Sequence, residues 1–168
     1  LTVTFIGRKL GLYTCDGPEY TGEIRFADLD VPVDIFEQVP AVAGCLSYSA
    51  EARFLKPRHR NAHKRSHGHV LVIGGDNGMA GAAIMAAEAA LYTGAGLVSV
   101  ATRNAAAIVA RRPELMALEV EAAEDLTALV GRATVVVIGP GLGLSDWSRD
   151  MCAEALTSSQ PLVVDADG

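Results

Sequence analysis

Two glycine-rich stretches are the segments of this sequence best suited to chemistry. The first, residues 74–78, follows a short apolar run at 70–73 and precedes an alanine-rich helical pattern. The free N–H groups and the dipole at the start of such a helix favour an anion, usually a phosphate. Neither a complete dinucleotide-binding motif nor a complete P-loop motif is present, so phosphate binding and a tight structural turn remain equally open.

The second stretch, IGPGLG at residues 138–143, follows a β-branched run and precedes a helix that Ser145 and Asp146 would open. Its glycines would let a ligand approach the backbone closely. The alternative is a tight turn in which Pro140 fixes φ. A second glycine-rich turn at the same edge as the first favours ligand contact.

Acidic side chains stand near both turns. Asp165 and Asp167 end the last apolar run, where they could hold Mg²⁺, contact a ribose hydroxyl or cap a following helix. Asp76 lies inside the first turn, where its carboxylate would repel a phosphate, and we expect it to cap the helix that follows. Four histidines lie between residues 59 and 69, but no acidic or cysteine ligand is spaced with them, so no metal site is predicted.

The elements that position these turns alternate between strand and helix. Strands are predicted at 70–73, 97–101, 134–138 and 162–164, and helices at 79–93, 105–111, 123–130 and 145–157. Apolar strands that alternate with helices indicate an α/β fold with a parallel sheet covered by helices on both faces. Ligands of such sheets bind beyond the carboxyl ends of the strands. We therefore expect both glycine-rich turns on one edge of the sheet, with room for a dinucleotide.

The first part of the chain is organised differently. Residues 1–6 and 22–26 predict two short strands. No periodic pattern is sustained from 28 to 69, where prolines interrupt the chain and a basic stretch closes it. We interpret this segment as a connector between two units.

Composition narrows the class of protein. Of 168 residues, 50% are hydrophobic, and the net charge of -6 argues against nucleic acid or an anionic membrane as a partner. The three cysteines form no C-x-x-C pair, and no apolar run is long enough to cross a membrane. A cytoplasmic protein with a small-molecule partner is expected. The chain begins with Leu rather than Met, and we expect a fragment.

Seven motifs in order carry a family resemblance. They are residues 63–64, 68–76, 80–82, 94–97, 112–116, 137–143 and 165–167. Together they resemble the ADP- or ATP-dependent NAD(P)H-hydrate dehydratases, which are ribokinase-like. Residues 1–30 resemble the end of the NAD(P)H-hydrate epimerase domain that precedes the dehydratase in bifunctional repair enzymes. Arg65 departs from the pattern, since a glycine is expected there.

The resemblance implies a domain order and an activity. Residues 1–30 would supply the terminal strands of a second α/β domain, which is epimerase-like. Residues 31–63 would be a linker, and 64–168 would form the N-terminal part of a ribokinase-like dehydratase domain. The activity would be nucleoside-phosphate-dependent dehydration of (S)-NAD(P)H hydrate, coupled to epimerisation of the R and S hydrates. ADP or ATP and Mg²⁺ would serve the dehydratase, K⁺ would serve the epimerase half, and the protein would be a homo-oligomer.

Site residues also follow from the resemblance. Ala82 and Gly143 would line the hydrate pocket, with Gly139, Gly141 and Asp165 nearby. The family's catalytic aspartate has no counterpart in these residues, so no catalytic residue is assigned, and we expect this chain alone to be inactive or poorly folded. Two alternatives remain open: a ribokinase-like kinase of a vitamin or sugar hydroxyl, and a non-catalytic nucleotide-binding module.

Overall fold

The computed structural model describes all residues from 1 to 168 and divides them into two compact units, Leu1–Pro57 and Arg58–Gly168. The division lies inside the segment 31–63 that the sequence predicts as a linker. Within the second unit, the guanidinium of Arg58 donates a hydrogen bond to the carbonyl of Gly94. No helix of the structure combines the length and the apolar character needed to cross a membrane.

The first unit contains a two-stranded parallel sheet and three short α-helices. Its elements are β1 (Thr2–Phe5), α1 (Gly17–Thr21), β2 (Ile24–Ala27), α2 (Val33–Gln38) and α3 (Tyr48–Glu51). Both strands were expected from the sequence, whereas the helices were not. α2 and α3 have only six and four residues and bury none of them, which explains why no periodic apolar pattern marks them.

A five-stranded parallel sheet forms the centre of the second unit. In chain order its strands are β3 (His69–Ile73), β4 (Leu97–Thr102), β5 (Met116–Glu119), β6 (Val135–Ile138) and β7 (Leu162–Val164). The helices between them are α4 (Ala80–Thr93), α5 (Ala105–Arg111), α6 (Glu124–Val130) and α7 (Asp146–Leu156). The predicted fold class is confirmed, and each predicted element of this unit lies within one residue of its observed bounds.

Side chains of the central strands alternate between two separate cores because successive residues of a strand face opposite sides. On one face, Val72, Val98 and Val100 are buried with α4 and with Ile108 of α5. On the other face, Leu71, Ile73 and Val136 share a core with α6 and α7, and the buried residues of those helices are Leu126, Trp147, Met151 and Ala155. The sheet is therefore covered on both sides.

The strand order β5-β4-β3-β6-β7 creates a switch point between β3 and β6. The chain leaves β3 toward the face covered by α4, and it leaves the neighbouring β6 toward the face covered by α7. A crevice at the carboxyl ends of two such strands is the usual ligand site of an open α/β sheet. The residues that follow β3 and β6 are the two glycine-rich turns.

One strand of the sheet, β5, is missing from the sequence prediction. It lies at the edge of the sheet and pairs only with β4, and three of its four residues are exposed. Its residues are Met, Ala, Leu and Glu, which all have high helix propensity. Neither apolar alternation nor β-branched residues therefore indicate a strand here, and its pairing with β4 determines the structure.

Candidate functional site

The two glycine-rich turns meet at the carboxyl ends of β3 and β6. The N–H of Gly75 donates to the carbonyl of Pro140 at 3.0 Å, and the N–H of Asp76 donates to the carbonyl of Gly141 at 2.8 Å. A Cβ atom at Gly74 would collide with the Pro140 carbonyl oxygen, so only glycine permits this approach. Both turns thus lie at one edge of the sheet, as the sequence indicates.

Because the turns touch each other, open space lies beside them rather than between them. It borders the start of α4, where a Cβ atom built on Gly78 or Gly81 would meet no other atom within 4 Å. The N-cap residue of α4 is Met79, which provides no side-chain hydrogen bond to the helix. The start of this 14-residue helix therefore retains the positive end of its dipole without a side-chain cap.

Three of the five predicted site residues lie together at the start of α4. A Cβ atom at Gly141 would be 3.1 Å from the Cβ of Ala82, and one at Gly143 would be 2.7 Å from the Cε of Met79. Gly141 and Gly143 have φ angles of +61° and +71°. Ala82, Gly141 and Gly143, with Met79 beside them, form one surface of small side chains.

The other two predicted residues meet one strand further along. Gly139 has a φ of +122°, and a Cβ atom there would collide with the carbonyl oxygen of Asp165, so this glycine is required by close packing between the ends of β6 and β7. The side chain of Asp165 is exposed. Asp167 is also exposed, and its Oδ2 accepts a hydrogen bond from the Gly143 N–H at 3.0 Å. Gly143 therefore links the end of β7 to the surface around Ala82.

Asp76 does not cap α4, and the sequence prediction for this residue is wrong. Its Oδ1 accepts a hydrogen bond from the Asn77 N–H at 2.7 Å and lies 3.3 Å from Nη1 of Arg103. Its Oδ2 accepts a hydrogen bond from the Ser145 hydroxyl at 2.7 Å. Ser145 and Arg103 are 69 and 27 positions away in the chain, so the residues around Asp76 in the sequence do not indicate these partners.

These contacts determine the charge of the Asp76 carboxyl group. Burial by itself raises the pKa of Asp76, which is only 6% exposed. The hydrogen bonds from Ser145 and Asn77, followed by the hydrogen bond and charge of Arg103, outweigh burial and hold the pKa below its ordinary value. Asp76 is therefore a buried carboxylate, and Arg103 also pairs with Glu121 at 3.3 Å.

The turn after β4 contacts the first glycine-rich turn through side chains. The carbonyl of Gly75 accepts hydrogen bonds from the Thr102 hydroxyl and from the Asn104 side-chain amide, both at 2.8 Å. Thr102 is completely buried. These two residues and Arg103 follow the predicted strand 97–101, at the kind of strand end where ligands of such sheets bind. Sequence reasoning assigns none of them a role, since a Thr-Arg-Asn sequence after a strand matches no motif.

The histidine-rich segment does not assemble a metal site. His69 lies in β3, where its Nε2 is 2.8 Å from the Ser99 hydroxyl and its Nδ1 is 3.3 Å from the carbonyl of Arg132. The structure contains no group of three or more His, Cys, Asp or Glu side chains that could hold a metal ion. Asp165 and Asp167 supply two exposed carboxylates near the site, which alone do not form such a group.

Comparisons with known proteins relate this chain to one enzyme family. The sequence profile of the NAD(P)H-hydrate dehydratase (Carb_kinase) family matches residues 70–168. A bifunctional NAD(P)H-hydrate repair enzyme from Coxiella burnetii is 50% identical over 99% of the chain, which covers 35% of that protein. An ADP-dependent (S)-NAD(P)H-hydrate dehydratase from Lactococcus lactis is 43% identical over 68% of the chain, which covers 42% of that protein. The chain thus spans between a third and a half of the length of these relatives.

Solved structures show the same fold. A hypothetical protein from Streptococcus mutans has a TM-score of 0.65 and 36% identity, with 72% of this chain and 46% of that chain covered. A ribokinase-like superfamily protein from Enterococcus faecalis has a TM-score of 0.58 and 34% identity, with 66% and 40% covered. The profile match covers more than half of the chain. With its ribokinase-like fold, the chain belongs to the NAD(P)H-hydrate dehydratase family.

Proposed function

We propose that this chain forms part of an enzyme that repairs hydrated NADH and NADPH by dehydration at the expense of ADP or ATP. The observation that carries the proposal is the start of α4, which has no side-chain cap and lies beside Ala82 and Gly143, where the two glycine-rich turns meet. Relatives named as NAD(P)H-hydrate dehydratase or bifunctional repair enzyme support it.

The chemistry explains why a nucleoside phosphate is needed. Hydroxide leaves a hydrated nicotinamide ring poorly. In the proposed reaction the ring hydroxyl oxygen attacks the terminal phosphorus of the nucleotide and gives up its proton to solvent, and the nucleotide leaves shortened by one phosphate. The C–O bond of the phosphorylated ring then breaks, inorganic phosphate departs and the ring loses a proton, which restores NAD(P)H. Developing negative charge on the phosphate is stabilised by positioned hydrogen-bond donors and by a cation.

The residues of this chain would bind and orient the substrate rather than transfer protons. Ala82, Gly141 and Gly143 offer a surface without bulky side chains, and Met79 adds an apolar contact. The dipole at the start of α4 suits an anionic group of a nucleotide. Mg²⁺ would accompany the nucleotide as its counter-ion. We assign no step to a metal ligand of this chain, because the two exposed carboxylates do not form a metal-binding group.

Further parts of the proposal concern the whole protein. Residues 1–30 would end an epimerase-like domain that interconverts the R and S hydrates and uses K⁺, residues 31–63 would link it to the dehydratase, and residues 64–168 would begin the dehydratase domain. The alignment of 99% of the chain with a bifunctional relative supports this order. We propose a cytoplasmic location, since its substrates are soluble cofactors. The homo-oligomer that the family resemblance implies is also part of the proposal.

The test uses the full-length protein that contains this chain. Purified protein is mixed with hydrated NADH and either ADP or ATP, and the absorbance of the reduced nicotinamide is followed. We expect recovery of NADH that depends on the nucleotide. No recovery with either nucleotide would overturn the proposal, and phosphorylation of a vitamin or sugar without recovery would indicate a ribokinase-like kinase instead.

A matched pair of substitutions in α4 tests the site. Ala82→Leu should raise KM for the hydrate by roughly ten-fold or more, because the added side chain fills the proposed pocket. Ala89→Leu makes the same change at an exposed position of the same helix and should leave KM unchanged. Equal KM values for the two variants, with equal thermal stability, would place the hydrate elsewhere.

A further inference from the structure

The Asp76 carboxylate is a buried charge that the proposed reaction does not use. It lies at the edge of the sheet where we propose that a phosphate-bearing substrate binds, and an uncompensated negative charge there would repel that substrate. Only 6% of the residue is exposed. A buried carboxylate is costly unless it is paired and hydrogen-bonded, so its contacts indicate what it does.

Those contacts join three turns of the sheet edge. Asp76 belongs to the turn after β3 and donates its N–H to the carbonyl of Gly141 in the turn after β6. Its carboxylate accepts a hydrogen bond from the hydroxyl of Ser145, the N-cap residue of α7. The same carboxylate forms an ion pair with Arg103 in the turn after β4. We call Asp76, Ser145 and Arg103 the Asp76 clamp.

The clamp also compensates the charge. Arg103 lies between Asp76 and Glu121, with both contacts at 3.3 Å, and 29% of its side chain is exposed. The guanidinium, the Ser145 hydroxyl and the Asn77 N–H together satisfy both carboxylate oxygens. The carboxylate is thus occupied by partners within the protein and is not presented to solvent.

We propose that Asp76 is a positioning residue for hydrate binding. It holds the two glycine-rich turns together through Ser145 and ties them to the turn after β4 through Arg103, so that the surface of Ala82 and Gly143 is formed before substrate arrives. This inference rests on the proposed function. Asp76 touches no reacting atom in this role. It acts by fixing the backbone of the turns that carry the binding surface.

Two substitutions break the clamp from opposite sides. Asp76→Asn keeps the shape of the side chain, but an amide has one carbonyl oxygen and cannot accept hydrogen bonds on both sides. Ser145→Ala removes the hydroxyl that donates a hydrogen bond to the Asp76 carboxylate. It also removes the cap of α7, because the same hydroxyl accepts a hydrogen bond from the Ser148 N–H at 3.2 Å. Ser145→Thr retains a hydroxyl for both contacts. Asp146→Asn, at the exposed neighbouring position, is the matched control.

The expected result separates positioning from stability. Measured on the full-length enzyme below the melting temperature of every variant, Asp76→Asn and Ser145→Ala should each raise KM for the hydrate by roughly ten-fold and change kcat less. The KM of the double variant should resemble that of the single variants, because each substitution disrupts the same clamp. Ser145→Thr should restore most of the wild-type KM, and Asp146→Asn should match the wild type.

Amide hydrogen exchange supplies a readout that does not require turnover. The amides of Gly75 and Asp76, which bond to the opposite turn, should exchange faster in Asp76→Asn and Ser145→Ala but not in Asp146→Asn. Unchanged KM in folded variants, or unchanged exchange, would overturn the positioning role. If Asp76→Asn does not fold, the KM values and amide exchange of Ser145→Ala and Ser145→Thr test the positioning role instead. A wild-type enzyme without any repair activity would overturn the proposed function, and the exchange result would then decide the clamp alone.

Discussion

At the scale of single residues, the charge of Asp76 couples stability to pH. The pKa of this carboxyl lies below its ordinary value in the folded chain, so the folded state favours the ionised form. The resulting stabilisation is fully present above the unfolded pKa of about 3.9 and is lost as pH falls through the folded pKa. Asp76 is therefore expected to contribute to acid unfolding rather than to pH dependence near neutrality.

This leads to a prediction for Asp76→Asn. Between about pH 5 and pH 2, the free energy of unfolding should fall less steeply for the variant than for the wild type, because the variant has no carboxylate to protonate there. Urea unfolding at a series of pH values measures the slope. Asp146→Asn removes a carboxylate from a side chain that is 97% exposed, so this variant should keep the wild-type slope. A slope for Asp76→Asn equal to that of Asp146→Asn would contradict the prediction.

Sequence reasoning located the glycine-rich turns but misread Asp76. The glycines are recognisable because their role depends on a local feature, the absence of a side chain near another backbone. The role of Asp76 depends on Ser145 and Arg103, which approach only when the sheet has formed. A carboxylate beside a predicted helix is most simply interpreted as a cap. Its long-range partners could not be identified from one sequence.

At the scale of elements, α7 illustrates how a helix is fixed by both its start and its buried face. The Ser145 hydroxyl accepts the Ser148 N–H, and Trp147 is buried with its Nε1 donating to the carbonyl of Val120 at 2.9 Å. Met151 is completely buried one turn further on. The helix therefore anchors the second glycine-rich turn to the core that it shares with α6.

A matched pair of methionines tests this anchoring. Met151→Ala should lower the free energy of unfolding by about 2–5 kcal/mol, because it leaves a cavity in the core beneath α7. Met85→Ala, at a position of α4 that is 68% exposed, should change it by less than about 0.5 kcal/mol. Chemical denaturation of both variants provides the measurement. Similar losses at the two sites would show that α7 does not depend on this core.

Some elements can be recognised from their own residues, whereas others depend on a distant pairing partner. β3 and β6 were predictable because they are buried and rich in β-branched residues, and α4 ends at Gly94 in the left-handed conformation that a glycine indicates. β5 was not predictable because it consists of helix-forming residues at an exposed edge. Its strand conformation comes from pairing with β4, which a local pattern does not contain.

At the scale of the whole molecule, the buried apolar residues are distributed very unevenly. Every buried hydrophobic side chain lies in the second unit, between Leu71 and Ala155. In the first unit only Thr4 and Thr21 are buried. The loss of periodicity after residue 28 separates the two units in the sequence. The sequence does not reveal that the first unit lacks buried apolar side chains, since residues 1–6 and 22–26 alternate as a half-buried strand would.

This distribution predicts different local stabilities within the 168-residue chain. Amides of β3 and β6, which pair side by side in a sheet covered on both faces, should exchange with solvent much more slowly than amides of β1 and β2. A sheet of two strands without a buried apolar core opens easily, because opening exposes little additional apolar surface to water. Hydrogen exchange followed by mass spectrometry compares the four strands in one sample. Protection of β1 and β2 equal to that of β3 and β6 would contradict the prediction and would mean that backbone pairing alone stabilises the first unit.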